Sequence, residues 1–221
     1  VANTKNNAST QETRRKLIEA AGEIFAERGL HAATIKEITT RAGVNCAAIN
    51  YHFSDKFELY AAVIRYAVAN SPCTIPPAEP GATAEERLRA YIGMQIDDVY
   101  SRARPSWHTT LVAHELAQPT AALDAVMEDL IRPRIVVMNE IINEILGPGA
   151  TEKELAYAGM SIGGQNFLHV YHQEVLQRVH PKLANQHKRE EIIDHILKFS
   201  LDGLYGMRDK IRARNKGKGT D

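Results

Sequence analysis

The chain is short of cysteine, of charge excess in either direction and of long apolar runs. Two cysteines, Cys46 and Cys73, stand in 221 residues. They are too few for a disulfide framework, so a reducing, cytoplasmic setting is expected. Lys and Arg total 27, as do Asp and Glu. That balance excludes a protein that grips nucleic acid over its whole surface, but not a small DNA-reading face on a neutral body. No apolar run approaches the ~18 residues of a membrane span. The opening VANTKNNASTQETRRK has no apolar stretch of the secretory kind. Period-2 alternation is also lacking, which argues against strands.

Catalytic signatures are missing too. There is no G-x-S-x-G, no phosphate-binding glycine loop and no pair of glycine-flanked cysteines. The chain is therefore not expected to be an enzyme, and no catalytic residue or cofactor is assigned. Nine histidines invite a metal reading, but HELAQ from His114 lacks the second histidine of H-E-x-x-H. His169 and His172 lie three apart with no complete ligand set, so scattered packing histidines are expected and no metal.

What remains is helical pattern in a chain that is 44% hydrophobic. A first helix is expected over about Gln11 to Arg28, with Leu17, Ile18, Ala21, Phe25 and Ala26 on one face and Gly29 closing it. Thr34 with Glu37 three residues on is a capping-box start for a second helix, whose buried side is Ile35 and Ile38. Ala42-Gly43-Val44 reads as a tight turn. Asn45 caps a third helix, Cys46 to about His52, with Ile49 and Phe53 inward. Ser54-Asp55 leads into a fourth, Lys56 to about Asn70, apolar through Phe57, Leu59, Tyr60, Val63 and Ile64. Two short helices about a tight turn form the layout that sets one helix in a DNA major groove.

Ser71 to Thr83, SPCTIPPAEPGAT, cannot continue a helix. Beyond it, helices are expected at about 84–102, 107–117, 121–146 with an interruption near Pro133, 152–179 and 188–214. The first of the last two carries a dense set of small residues, Ala156, Ala158, Gly159, Ser161, Gly163 and Gly164. The second carries Ile192, Ile193, Ile196, Leu197, Phe199, Leu201, Leu204 and Tyr205, more apolar surface than one face needs. Together they predict a homodimer interface. The basic tail Arg208 to Lys218 reads as a solvated, frayed end.

The run AAGEIFAERGLHAATIKEITTRAGVNCAAINYHFSDKFELY resembles the N-terminal domain of TetR-type transcriptional regulators, and Asn50-Tyr51-His52-Phe53 followed by Asp55-Lys56 looks most like the CecR branch. The resemblance implies an all-α fold, with an N-terminal helix-turn-helix three-helix domain followed by a helical-bundle ligand-binding and dimerisation domain. The divisions expected are 9–55 for DNA binding, 56–83 for a connecting helix and linker, and 84–215 for effector binding and dimerisation. It also implies DNA contacts by Thr34 and Lys36 of the second helix, by Asn45, Cys46, Ala47 and Ala48 at the start of the third, by Asn50, Tyr51 and His52 along it, and by Lys56. Relatives often carry tyrosine where this chain has Asn50. Asparagine can read adenine or hold phosphate, and phosphate is the reading preferred here. Cys46 stands where relatives carry a polar or basic residue. A redox role is conceivable for a thiol at a helix N-terminus, and passive packing is preferred.

The function implied is a dimeric, cytoplasmic, ligand-responsive repressor, released from a palindromic operator by a small molecule. Met94, Trp107, His108, Leu111, Glu115, Met138 and Gln165 are the residues expected around that effector, by the apolar-with-few-polar character of bundle sites. The competing class is a helical-bundle carrier or enzyme without specific DNA binding.

Overall fold

A computed structural model describes residues 2–70, 79–100, 106–171, 173–182 and 189–217. The linker residues 71–78, Cys73 among them, lie outside this set, as do His172, the side chain of His169 and Lys218. Among the described residues there is no strand. The helices are α1 (Ala2–Ala32), α2 (Ile35–Ala42), α3 (Ala47–His52), α4 (Lys56–Ala69), α5 (Ala84–Tyr100), α6 (Ser106–Ala117), α7 (Leu123–Val126), a π-helical turn (Met127–Ile131), α8 (Arg132–Leu146), α9 (Glu152–Tyr171), α10 (Gln173–Val179) and α11 (Arg189–Gly217). None of them is long and apolar enough to cross a membrane.

The helix starts follow local chemistry. Thr34 and Glu37 form the full reciprocal capping box of α2. Asp55 accepts from the Glu58 amide at 2.8 Å to start α4. Thr83 with Glu86, and Thr151 with Glu154, repeat the box ahead of α5 and α9. α1 begins earlier than apolar periodicity suggests, at Ala2, and its helical backbone breaks at Gly29 with φ 74°. The expected interruption near Pro133 takes the form of the π turn just before it. The proline ring removes the N–H that the Asp129 carbonyl would otherwise accept, and a widened turn accommodates the loss.

The chain forms two compact units. In the first, α1 to α4 pack with α6, α7 and the π turn. Its core gathers Leu17, Ile18, Ala21 and Phe25 of α1, Ile38 of α2, Ile49 and Phe53 at α3, Leu59, Val63 and Ile64 of α4, and Trp107 and Leu111 of α6. In the second unit, α5, α8, α9 and α11 enclose Leu88, Ile92, Ile96, Ile141, Ile142, Ile162, Ile192, Ile196 and Leu204. Arginines tie its surface: Arg89 pairs with Glu190 and Asp194, Arg189 with Asp97, and Arg87 with Glu144. The C-terminal helix stays ordered through its basic stretch, because Arg214 binds Glu154 and the Gly149 carbonyl and Asn215 donates to the Pro148 carbonyl.

Candidate nucleic-acid interface

The turn between α2 and α3 is closed by Gly43, at φ 67° and ψ 33°. A side chain there would pay a steric penalty that glycine escapes. The Gly43 amide donates to Thr40 O at 3.2 Å and the Val44 amide to Thr39 O at 3.0 Å. Val44 packs half-buried against the core. α3 starts one residue later than expected, at Ala47, and Cys46 before it makes no side-chain capping bond. Asn45 instead serves the first turn from one residue further out, its Oδ1 accepting from the Ala47 amide and its carbonyl from the Ala48 amide, both at 2.9 Å. Across the turn, Cys46 Sγ lies 3.2 Å from Thr39 Oγ1. The Thr39 hydroxyl proton is directed at the Ile35 and Lys36 carbonyls, so the thiol is the donor in this contact. Cys46 thus joins the two helices of the motif.

With Ile49 and Phe53 buried, α3 turns Ala47, Asn50 and Tyr51 outward on one face, and Tyr51 is 76% exposed. Ala48 is half-buried against the core. His52 is half-buried, edge-on to Tyr51 with ring centroids 4.8 Å apart. Burial, with the nearby Arg14 charge, lowers its pKa from the ordinary histidine value. A neutral imidazole keeps one N–H to donate.

Most cations of this region are spent internally. Arg41 pairs with Glu23 and Glu27, Arg28 with Glu37, and Arg15 with Glu12 and Glu19. Lys36 is exposed and has no carboxylate partner among the described residues. The same holds for Arg14, whose guanidinium lies 5.1 Å from the centre of the Phe53 ring, beside the end of α3. Sequence reading did not find Arg14, because nothing in its spacing signals that α1 carries it to α3. Lys56 is differently occupied. Its ammonium donates to the His31 and Ala33 carbonyls at 3.2 and 3.0 Å, bracing the α1–α2 loop with two of its three donors. Thr34 is engaged in its cap.

These features make a small outward face on α3 flanked by mostly paired cations. The C-terminal residues 84–204 match the family model described as "HTH-type transcriptional dual regulator CecR, C-terminal domain", which covers more than half of the chain. Residues 17–63 match the model "Bacterial regulatory proteins, tetR family". The chain belongs to the TetR family, in its CecR branch. This TetR-family chain is 41% identical over 88 residues to the transcriptional activator FasR of Mycolicibacterium smegmatis, a match covering 39% of the chain and 40% of FasR. It is 37% identical over 99 residues to the regulator BetI of Escherichia coli, covering 42% of the chain and 51% of BetI. The matches thus span about half the length of these curated relatives, or less. Among solved structures, AibR in complex with isovaleryl coenzyme A and operator DNA shares the fold at 18% identity and a TM-score of 0.62, over 85% of this chain and 97% of AibR.

The residues expected around an effector are divided between the two cores. Trp107, His108, Leu111 and Glu115 of the TetR-family chain are buried in the first unit. Glu115 is fully enclosed, accepting from the Tyr60 hydroxyl at 2.7 Å and from the Thr120 amide and hydroxyl at 2.8 and 2.9 Å. Met94 and Met138 lie in the second core. Gln165, half-buried, donates to Ser161 O and Ser200 Oγ. The polar pair inside the second unit is one that sequence reading missed. Asn166, next to Gln165, is buried and donates to Gln95 Oε1, while its own Oδ1 has no partner among the described residues. Among those residues, no group of three His, Cys, Asp or Glu side chains could hold a metal ion.

Proposed function

We propose that this chain is a dimeric, ligand-responsive, sequence-specific DNA-binding regulator, which represses from a palindromic operator and leaves it when an effector binds. The observation that carries this reading is the outward face of α3, Ala47, Asn50 and Tyr51, held between the Asn45–Ala47 hydrogen bond and the buried Phe53. Small residues let a helix approach the groove floor, and Asn50 offers a donor and an acceptor to a base edge or phosphate. Lys36 and Arg14 supply phosphate-neutralising charge at either side, joined by Asn45, Cys46, Ala48 and His52. Thr34 contributes by fixing the start of α2 and Lys56 by bracing the α1–α2 loop, and Lys56 keeps one donor for phosphate.

Dimerisation through α9 and α11 supplies the second reading head. Tyr157 and Met160 of α9 and Phe199 of α11 are exposed apolar side chains. Gly163, Gly164, Gly203 and Gly206 have open space where a Cβ would stand, which suits close helix approach by a second copy. The effector is proposed to enter the second unit, where the Asn166 Oδ1 acceptor would meet a donor on an otherwise apolar molecule. AibR's complex makes acyl thioesters the first class to screen. A chain of this function works in the cytoplasm, where the chromosome is. Its effector must bind the DNA-incompetent conformer more tightly, since equal affinity shifts nothing.

Selection of bound duplexes from a random pool tests the reading. The expected product is a palindrome with half-sites about 34–36 Å apart, or a multiple of that. Recovery of unrelated sequences would end the specific-reader interpretation. Transcription in vitro from a promoter bearing the selected site tests the sense of regulation, with repression expected.

A further inference from the structure

A cleft in the first unit is used by none of these roles. It opens between the end of α1, the Tyr60 turn of α4 and the end of α6, with a volume of about 660 Å³. That is within the range of small-molecule sites, roughly 300–1,000 Å³. Phe25, Tyr60 and Leu111, all buried, form an apolar floor. Arg28 and His31 stand on one wall, and His114 and Gln118 on the other.

The electrostatics of the rim favour an anion. The acid on the rim, Glu27, is taken by Arg41, which reaches both of its oxygens at 3.2 and 3.4 Å. Among the described residues Arg28 engages Glu37 through Nη1 alone, which leaves Nε and Nη2 as a donor fork of the kind that binds carboxylate bidentately. The end of a helix is ordinarily a poor place for an anion. Here the carbonyls of His31 and Ala33, at the end of α1, already hold the Lys56 ammonium. Glu115 lies behind the floor, fully enclosed, with its oxygens bonded to Tyr60 and Thr120.

We propose that this cleft binds a small carboxylate with an apolar, ring-sized body, the carboxylate on Arg28 and the body over Phe25, Tyr60 and Leu111. Such a ligand would touch α1, α4 and α6 at once and clamp them in the present arrangement. This is a second site, separate from the effector reading of the other unit, and its test needs no DNA.

Calorimetric titration of the full chain with 3-phenylpropionate is the experiment, alongside 3-phenylpropanamide and 3-phenylpropylammonium as neutral and cationic partners of the same shape. The acid is expected to bind at least tenfold more tightly than either. Arg28→Gln is expected to weaken it about tenfold. Glu37→Gln keeps a residue able to close the capping box and releases Arg28, so it is expected to tighten binding. Ala117→Trp fills the cleft from an exposed position and is expected to abolish binding while the far-UV spectrum and melting midpoint stay in place. Absence of acid binding, equal binding of the ammonium compound, or unchanged binding in Ala117→Trp would each overturn the proposal. So would Arg28→Gln and Glu37→Gln variants that both bind as the parent does.

Discussion

Trp107 lies against the bare α-carbon of Gly22. A Cβ built at Gly22 would fall 2.5–2.6 Å from three carbons of the indole ring. The ring is further held by Tyr66, stacked at 6.5 Å and 16°, and by His108, edge-on at 4.0 Å. α1 and α6 therefore meet through a glycine, with no slack for a methyl group. Gly22→Ala is expected to destabilise the first unit by about 1–3 kcal/mol, the usual cost of overpacking. Trp107 is the single tryptophan of the chain, so its emission reports the displacement directly. An unchanged spectrum and melting curve would show that the ring can move aside freely.

Tyr60 and Glu115 join α4 to α6 in the same unit. Tyr60→Phe removes the 2.7 Å hydrogen bond and leaves an enclosed carboxylate with fewer donors. The expected loss is about 1–3 kcal/mol in urea unfolding. Burial, then the hydrogen bond to Glu115, raises the Tyr60 pKa above the ordinary tyrosine value. A raised pKa stabilises the fold below the unfolded value of about 10 and loses that contribution as pH climbs beyond it. The parent should therefore weaken above about pH 10 more steeply than Tyr60→Phe. Parallel slopes would remove Tyr60 from the alkaline transition.

The cations of the reading face divide into two kinds. Lys36 and Arg14 have no carboxylate partner among the described residues, whereas Lys56 braces the His31 and Ala33 carbonyls. Lys36→Ala is expected to leave stability unchanged, weaken all DNA alike and lower the salt slope by about one per contact removed. Arg14→Ala should do the same, with a small stability loss from its exposed contact with Phe53. Lys56→Met should instead lower the melting midpoint, because two loop carbonyls lose their donor. A Lys56→Met protein with normal stability and a reduced salt slope would reverse that assignment.

Local chemistry was legible in the sequence, and long-range pairing was not. The Thr34–Glu37 box, the Asp55 cap and the Gly43 turn each act within a few residues, so residue type and spacing announce them. The buried sides of α1 to α4 followed from apolar periodicity, with Phe57 the exception: it is exposed. Tyr60–Glu115 and Gln95–Asn166 join residues 55 and 71 apart, and no periodicity encodes such a pair. Apolar composition marked Met94, Trp107, Leu111 and Met138 as interior. It carried no information on which of two cores each would join. Lys56 shows the same limit at a single residue, since its charge was readable and its carbonyl partners were not.

Glu154 ties the start of α9 to the end of α11. It accepts from the Thr151 amide and hydroxyl, both at 2.8 Å, and from two Arg214 nitrogens at 2.7 and 3.1 Å. These bonds, Arg214's first among them, hold its pKa down at about 2. A depressed carboxyl pKa stabilises the fold above the unfolded value of about 4.3 and gives that up as pH falls toward the folded value. Arg214→Met should raise the Glu154 pKa, followed by carboxyl ¹³C shifts. It should also flatten the acid-side loss of stability between about pH 4.3 and the folded pKa. An unmoved Glu154 titration would assign its acidity to the Thr151 cap alone.

The exposed apolar face of the second unit sets the last prediction. Met160 is 60% exposed and Phe199 64%, although neither is polar and both lie on long helices with well-packed opposite faces. Tyr157, Met160 and Gly164 follow one face of α9 at helical spacing, and Phe199, Gly203 and Gly206 do so on α11. In a two-fold dimer the same patch meets itself, so one substitution acts twice. Phe199→Glu would bring two like charges to the symmetric contact and bury them without partners. The expected result is a shift from dimer to monomer in sedimentation equilibrium, with helix content retained because Phe199 lies outside the core. Operator affinity should fall with it, since one reading head alone loses the second half-site. A Phe199→Glu protein that stays dimeric would move the interface away from this face, and one that is monomeric yet binds the operator normally would separate dimerisation from reading.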